Sequence, residues 1–174
     1  MPTFLYGLKG SDYLYTKLLA IDAATGTSGI AVFINGEYSR SYKILSTSTL
    51  KGEAKLNEMI ELLNDELQTE DPDIIIVEEI MPTRNAMVTR MLQELTGALR
   101  GLCINSNIDY HELKPSEYRS VIVKKTGQKP KGRKREDQKA WSIDVANNQF
   151  GISTDDDNIS DAILLGTAYV EMCK

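Results

Sequence analysis

Asp22 closes the apolar run Leu18-Leu19-Ala20-Ile21, and Glu78 closes Ile74-Ile75-Ile76-Val77. In an open α/β sheet ligands bind beyond the carboxyl ends of the strands, so two acids placed there converge on one site if their strands are neighbours. A third source of carboxylates is Asp155-Asp156-Asp157-Asn158-Ile159-Ser160-Asp161, at the start of an apolar helical segment. Asp157 and Asp161 are four apart and share a helix face, as do Asn158 and Asp161 at three apart. Crowding such acids into one cleft is costly through repulsion and desolvation unless a dication neutralises them. Mg²⁺ suits the set, because it takes hard oxygen ligands and leaves positions to water and phosphate; Mn²⁺ is expected to substitute. Two such ions about 4 Å apart generate an attacking hydroxide and stabilise the leaving 3′-oxygen of a phosphodiester. Asp155 to Asp157 also suit plain capping of a helix N-terminus. Asp161 sits deeper, beside Ala162, Ile163, Leu164 and Leu165.

The elements that must position these acids follow from apolar periodicity. Lys17 to Asp22 and Ile30 to Ile34 read as strands, and Asn35-Gly36 is a strong hairpin signal leading into a third strand, Glu37 to Leu45. Leu56, Met59, Ile60, Leu63 and Leu67 recur at helical spacing over roughly residues 52–69. Asp73 to Glu78 is apolar on both alternations, as in a strand buried on both faces. A helix is predicted over about 85–104, with Met87, Met91, Leu92, Leu95, Ala98, Leu99 and Leu102 on its apolar side. A fifth strand covers Ile108 to Leu113, Pro115 opens a helix to about Lys124, and two more helices span about 133–149 and 158–173. The expected architecture is α/β: a five-stranded mixed sheet flanked by helices, spanning 17–174 behind an N-terminal extension, 1–16. His111, the single histidine, and Trp141 read as structural, and Cys103 and Cys173 as reduced core residues.

The net charge of -5 conceals an asymmetry. Residues 114–139 hold ten bases against three acids, a local +7, so the rest of the chain carries -12. A basic face on an acidic body suits a phosphate backbone, where counterion release supplies most non-specific affinity. No segment reads as a membrane helix or a signal peptide, so the expectation is a cytoplasmic protein without an organic cofactor.

In ordered combination, LLAIDAATGTSGIAVF, IIIVEEIMP and ISDAILLG resemble the three catalytic segments of the RuvC Holliday-junction resolvases, over about residues 17–172. The resemblance implies a ribonuclease H-like fold and a homodimeric, Mg²⁺-dependent endonuclease that cuts four-way and other branched DNA in a bacterial or phage-infected cell. It maps the catalytic acids onto Asp22, Glu78 rather than Glu79, and Asp161. The family's acid or His three positions before the last Asp is Asn158 here; the fourth ligand is then Asp157, favoured for its charge, or Asn158 through its amide oxygen. DNA contacts are expected at Met81, near the family's base-wedging aromatic, and at Arg119, Lys124, Lys125, Lys129, Lys131, Arg133, Lys134 and Arg135. The 85–104 helix is implied as the dimer interface, with Leu92 and Leu99 as the residues to test.

Other functions fit parts of the pattern. Asp22 to Ser28 is similar to the phosphate-gripping hairpin of actin and sugar-kinase ATPases, although a second such hairpin is missing from the sequence. Asn158 fits a branched-DNA binder that has lost catalysis. A transposase or RNA-cutting relative is disfavoured by the lack of an added recognition domain.

Overall fold

The computed structural model describes residues 16–47, 49–132 and 134–174. Apart from Thr16, the expected extension 1–16 lies outside the described residues, as does Arg133. The elements are β1 (Lys17–Asp22), β2 (Thr27–Ile34), β3 (Glu37–Leu45), α1 (Gly52–Glu70), β4 (Ile74–Glu78), α2 (Ala86–Asn105), β5 (Asp109–Leu113), α3 (Pro115–Thr126), α4 (Arg135–Phe150) and α5 (Asp157–Met172). The sheet order is β3-β2-β1-β4-β5, with β1 to β3 antiparallel and β4 and β5 parallel to β1. Both residues of the Asn35-Gly36 turn have positive φ, 54° and 79°, the geometry that matches the twist of a tight hairpin.

Alternation along the strands divides the core into two layers. Leu19, Ile21, Ile75 and Val77 face α1 and α2, whereas Leu18, Ala20, Ile74 and Ile76 face α3, α4 and α5. Asp22 and Glu78 have the parity of the second set, so they are directed to the side that α5 covers. Ile21 pairs with Val77, which leaves the two acids side by side at the strand ends. Helix α5 lies very close to the sheet: a Cβ on Gly166 would come within 2.3 Å of the Phe33 ring and 2.9 Å of the Ala20 Cβ. That approach brings the first turns of α5 to the edge holding Asp22.

Several expectations need correction. β2 begins at Thr27 rather than Ile30, because Thr27, Ser28 and Gly29 pair with Leu45, Ile44 and Lys43 of the long third strand. The apolar stripe of α2 does not bury throughout its length: Met87 is 62% exposed, and the buried residues of α2 begin only at Leu95. Leu99, by contrast, is 1% exposed within the α1/α2 layer, so Leu99→Asp places a charge in the core and cannot serve as an interface probe. Cys173 is half-buried at the C-cap of α5, while Cys103 is buried as expected. Trp141 is buried in the α5-side layer.

Candidate active site

Asp22, Glu78, Asp157, Asn158 and Asp161 line one cleft of about 280 Å³ at the carboxyl edge of β1 and β4. The strands supply Asp22 and Glu78, and the first two turns of α5 supply the rest. Asp156 is the N-cap of that helix, its carboxylate accepting from the backbone N–H groups of Asn158 and Ile159 at 3.0 and 3.3 Å, and it pairs with Lys43 at 2.8 Å. The acidic run therefore divides its work: Asp156 caps, while Asp157 and Asp161 face the cleft. Arg119 from α3 and Arg135, Gln138 and Lys139 from α4 form the opposite wall, with Ile80 and Leu92 as apolar lining. Leu92 thus belongs to the cleft and is not a clean probe of dimerisation.

The electrostatics are those of carboxylates held together against their repulsion. Burial lifts Asp22 well above the ordinary carboxylate range, with Asp161, Glu78 and Asp157 adding to the rise and Lys139 opposing it. Asp161 is pushed up to about 6, first by burial, against the Ser142 hydroxyl and with Glu78 adding. Burial also raises Glu78, opposed by a hydrogen bond from Tyr118 at 2.9 Å and by Arg119. Asp157 is ion-paired with Lys139. Among the described residues no three His, Cys, Asp or Glu side chains stand as a ready-made metal cage. The donors are nonetheless hard oxygens whose mutual repulsion a dication relieves, so the residues fit Mg²⁺ or Mn²⁺.

A test follows from linkage. Asp161 rises from 3.8 in the unfolded chain to about 6 in the fold, so the folded protein binds more protons and loses stability as pH rises between those values. The loss is on the order of 1–3 kcal/mol, equivalent to roughly 2–8 °C in melting temperature for a chain of this size. Asp161→Asn is therefore expected to raise the melting temperature of metal-free protein at pH 7.5 and to change it little at pH 4. Mg²⁺ should stabilise the wild type more at pH 7.5 than at pH 5; equal shifts at both would contradict this account.

The predicted DNA-contacting residues are only partly gathered. Arg119 and Arg135 reach the cleft; Lys124, Lys129, Lys131 and Lys134 are exposed outside its lining, and Lys125 pairs with Glu171 at 2.6 Å. Met81 is 52% exposed, next to Ile80 at the rim. Sequence reasoning missed Gln138 and Tyr118, and counted Lys139 in the basic segment without singling it out as a contact. Lys139 was within reach, since it lies four residues beyond Arg135 on one helix and so shares its face. His111 is half-buried against the Tyr169 ring, 5.5 Å between centres, in keeping with a structural role.

The comparisons with known proteins decide among folds that could carry such a cleft. No family model matches the chain. Over 110 residues it is 28% identical to the crossover junction endodeoxyribonuclease RuvC of Carboxydothermus hydrogenoformans, covering 62% of this chain and 70% of that protein. The structure of Thermus thermophilus RuvC in complex with Holliday junction substrate matches with a TM-score of 0.69 at 10% identity, over 90% of this chain and 94% of that one. The chain has a RuvC-like fold. The yeast mitochondrial Holliday junction resolvase Ydc2 shares this fold, with a TM-score of 0.55 at 14% identity over 91% and 81% of the two chains. The RuvC-like sheet is the expected ribonuclease H-like arrangement of five mixed strands flanked by helices. Within it, Ser28 is fully buried, its hydroxyl exchanging bonds with the Ala24 backbone at 3.0 and 3.1 Å. That hydroxyl faces the interior and is not presented to a phosphate. Among the described residues no helix is long and apolar enough to cross a membrane.

Proposed function

We propose that this RuvC-like chain is a dication-dependent endonuclease that resolves four-way and other branched DNA, working as a homodimer in the cytoplasm of a bacterial or phage-infected cell. The observation that carries the reading is the convergence of Asp22, Glu78 and Asp161 on one cleft of a RuvC-like fold, faced by Arg119, Arg135 and Lys139. Mg²⁺, or Mn²⁺ in its place, would be held by Asp22, Glu78 and Asp161 with Asp157 or Asn158. A dication so held would supply activation of water and stabilisation of a leaving 3′-oxygen. Arg119 and Arg135 bind the phosphate flanking the scissile bond, and the apolar wall of Ile80 and Leu92 limits water at the reacting centre. Lys139 competes with any dication for the Asp157 carboxylate. The exposed Lys124, Lys129, Lys131 and Lys134 extend the positive surface beyond the cleft along the DNA backbone, and Met81 at the rim meets the bases near the branch point. The exposed start of α2, with Met87 and Val88, provides the contact between protomers.

The test is cleavage of labelled four-way, three-way and linear DNA with Mg²⁺ and with EDTA, together with a variant neutralised at Lys129, Lys131 and Lys134. Wild-type protein is expected to make paired, Mg²⁺-dependent cuts in the junction and to spare linear duplex. The variant should bind all DNA forms more weakly, with the slope of affinity against salt reduced by about two to three charges. Junction binding without cutting at any dication concentration would favour a binder that has lost catalysis; an unchanged salt slope would remove the lysines from the interface.

A further inference from the structure

We propose that Tyr118 is a positioning residue for Glu78, its hydroxyl clamping the carboxylate that the cleft uses. This rests on the nuclease reading above. Tyr118 is 1% exposed, on the side of α3 packed against the α5-side core, and its hydroxyl donates to Glu78 Oε2 at 2.9 Å. An ionised carboxylate only accepts and a phenol has one proton to give, so the direction of this bond is fixed. One acceptor site of Glu78 is thereby occupied from the protein side, and the carboxylate keeps one rotamer with its remaining acceptor sites left to the cleft. Arg119, the next residue, lines the cleft with its guanidinium 5.3 Å from the Tyr118 ring centre. One turn of α3 thus sets the carboxylate from behind and the guanidinium in front of it.

Core filling alone does not call for the hydroxyl. The neighbouring positions of this layer are filled by Ile122, Ile76 and Leu113, and a phenylalanine would occupy nearly the same volume. A polar group buried this deeply needs a partner, and here the partner is a residue of the cleft. Side chains that orient a ligating carboxylate from outside the ligand set are typically worth about 10–100-fold in metal affinity or activity.

The experiment compares wild type, Tyr118→Phe and Tyr42→Phe. Tyr42 also gives its hydroxyl to a carboxylate, Glu66, but on the α1 side of the sheet and away from the cleft. Three quantities are read: the Mg²⁺ concentration giving half the maximal thermal stabilisation, the single-turnover rate on a four-way junction, and junction affinity in EDTA. Tyr118→Phe is expected to raise the half-saturating Mg²⁺ about 10–100-fold and to slow cutting accordingly at low Mg²⁺. High Mg²⁺ should restore the rate, and affinity in EDTA should not change. Tyr42→Phe should leave all three as in wild type. A folded Tyr118→Phe with wild-type half-saturation and rate overturns the proposal. Should it not fold, Tyr118→Met, an adaptable apolar filler, carries the same expectation; failure of both to fold assigns Tyr118 to the core alone and also overturns it. If wild type binds Mg²⁺ without cutting, the nuclease reading fails while the half-saturation shift still decides the role of Tyr118. If wild type shows no Mg²⁺ stabilisation, both fail.

Discussion

Asp22→Asn and Asp161→Asn are each expected to reduce junction cleavage by about 10³-fold or more while junction binding persists or tightens. Either amide keeps the shape and part of the hydrogen bonding of the carboxylate but removes a charge that a catalytic dication requires. Loss of a donor that acts on developing charge typically costs 10²–10³-fold, and loss of a metal ligand costs at least as much. Binding follows the opposite sign, because each substitution removes negative charge close to where the scissile phosphate must lie while Arg119 and Arg135 remain. The same assay resolves the fourth position. Asp157 carries the charge but is held by Lys139, whereas the Asn158 amide nitrogen reaches Asp156 at 3.3 Å. Whichever of Asp157→Ala and Asn158→Ala loses Mg²⁺-dependent cutting with binding intact is the ligand. Wild-type cleavage by both the Asp22 and Asp161 amides would sink the mechanism, even on this fold.

Gly29→Ala should damage the proposed activity nearly as severely without touching a cleft residue's chemistry. Gly29 stands opposite Asp22 in the β1–β2 ladder, and a Cβ there would lie 2.0 Å from the Asn158 carbonyl oxygen and 2.9 Å from the Ile159 nitrogen. These are backbone atoms at the start of α5, so they cannot rotate away as a side chain would. Either β2 shifts or the helix end carrying Asp157 and Asp161 retreats from Asp22. Overpacking of this kind costs about 1–3 kcal/mol, and more where backbone must move. A displacement near 1 Å in a catalytic constellation costs on the order of 10²-fold in rate. Both effects are measurable: a lower melting temperature, and slower cutting at a temperature where the variant is fully folded. Wild-type values of both would show that the α5 terminus tolerates the displacement.

Much of the fold was legible because its determinants are local. Two-sided apolar strands, an Asn-Gly turn and 3.6-residue stripes state their conformations within a few residues, and the sheet order follows from a hairpin meander and two parallel returns. Asp22 and Glu78 could be picked out because each ends such a strand, and the parity of Glu78 with Ile74 and Ile76 separates it from Glu79, which lines a different hollow with Arg100. What stayed hidden depends on contacts between distant segments. The Lys139–Asp157 pair bridges α4 and α5, and the Tyr118–Glu78 bond joins a helix to a strand forty residues earlier. Helix α2 misled for a related reason: its stripe runs unbroken in sequence, yet Met87 is exposed, Leu92 lines the cleft and Leu99 is core. The basic run likewise gave a net charge but not a direction, since Lys125 is turned to Glu171 while Arg119 and Arg135 turn inward.

The placement of α5 also bears on when the proposed nuclease site is assembled. Synthesis proceeds from the N-terminus, and α5 is the last of the described elements to emerge. Until it docks, Asp22 and Glu78 lack Asp161, and the layer formed by Leu18, Ala20, Ala31 and Phe33 lacks Ala162, Ile163, Leu165 and Ala168. The growing chain therefore has an incomplete cleft and exposed apolar surface at once. On the proposed nuclease reading, competence to cut DNA requires the same docking step that completes this layer of the core, so a chain that has not finished folding stays inactive.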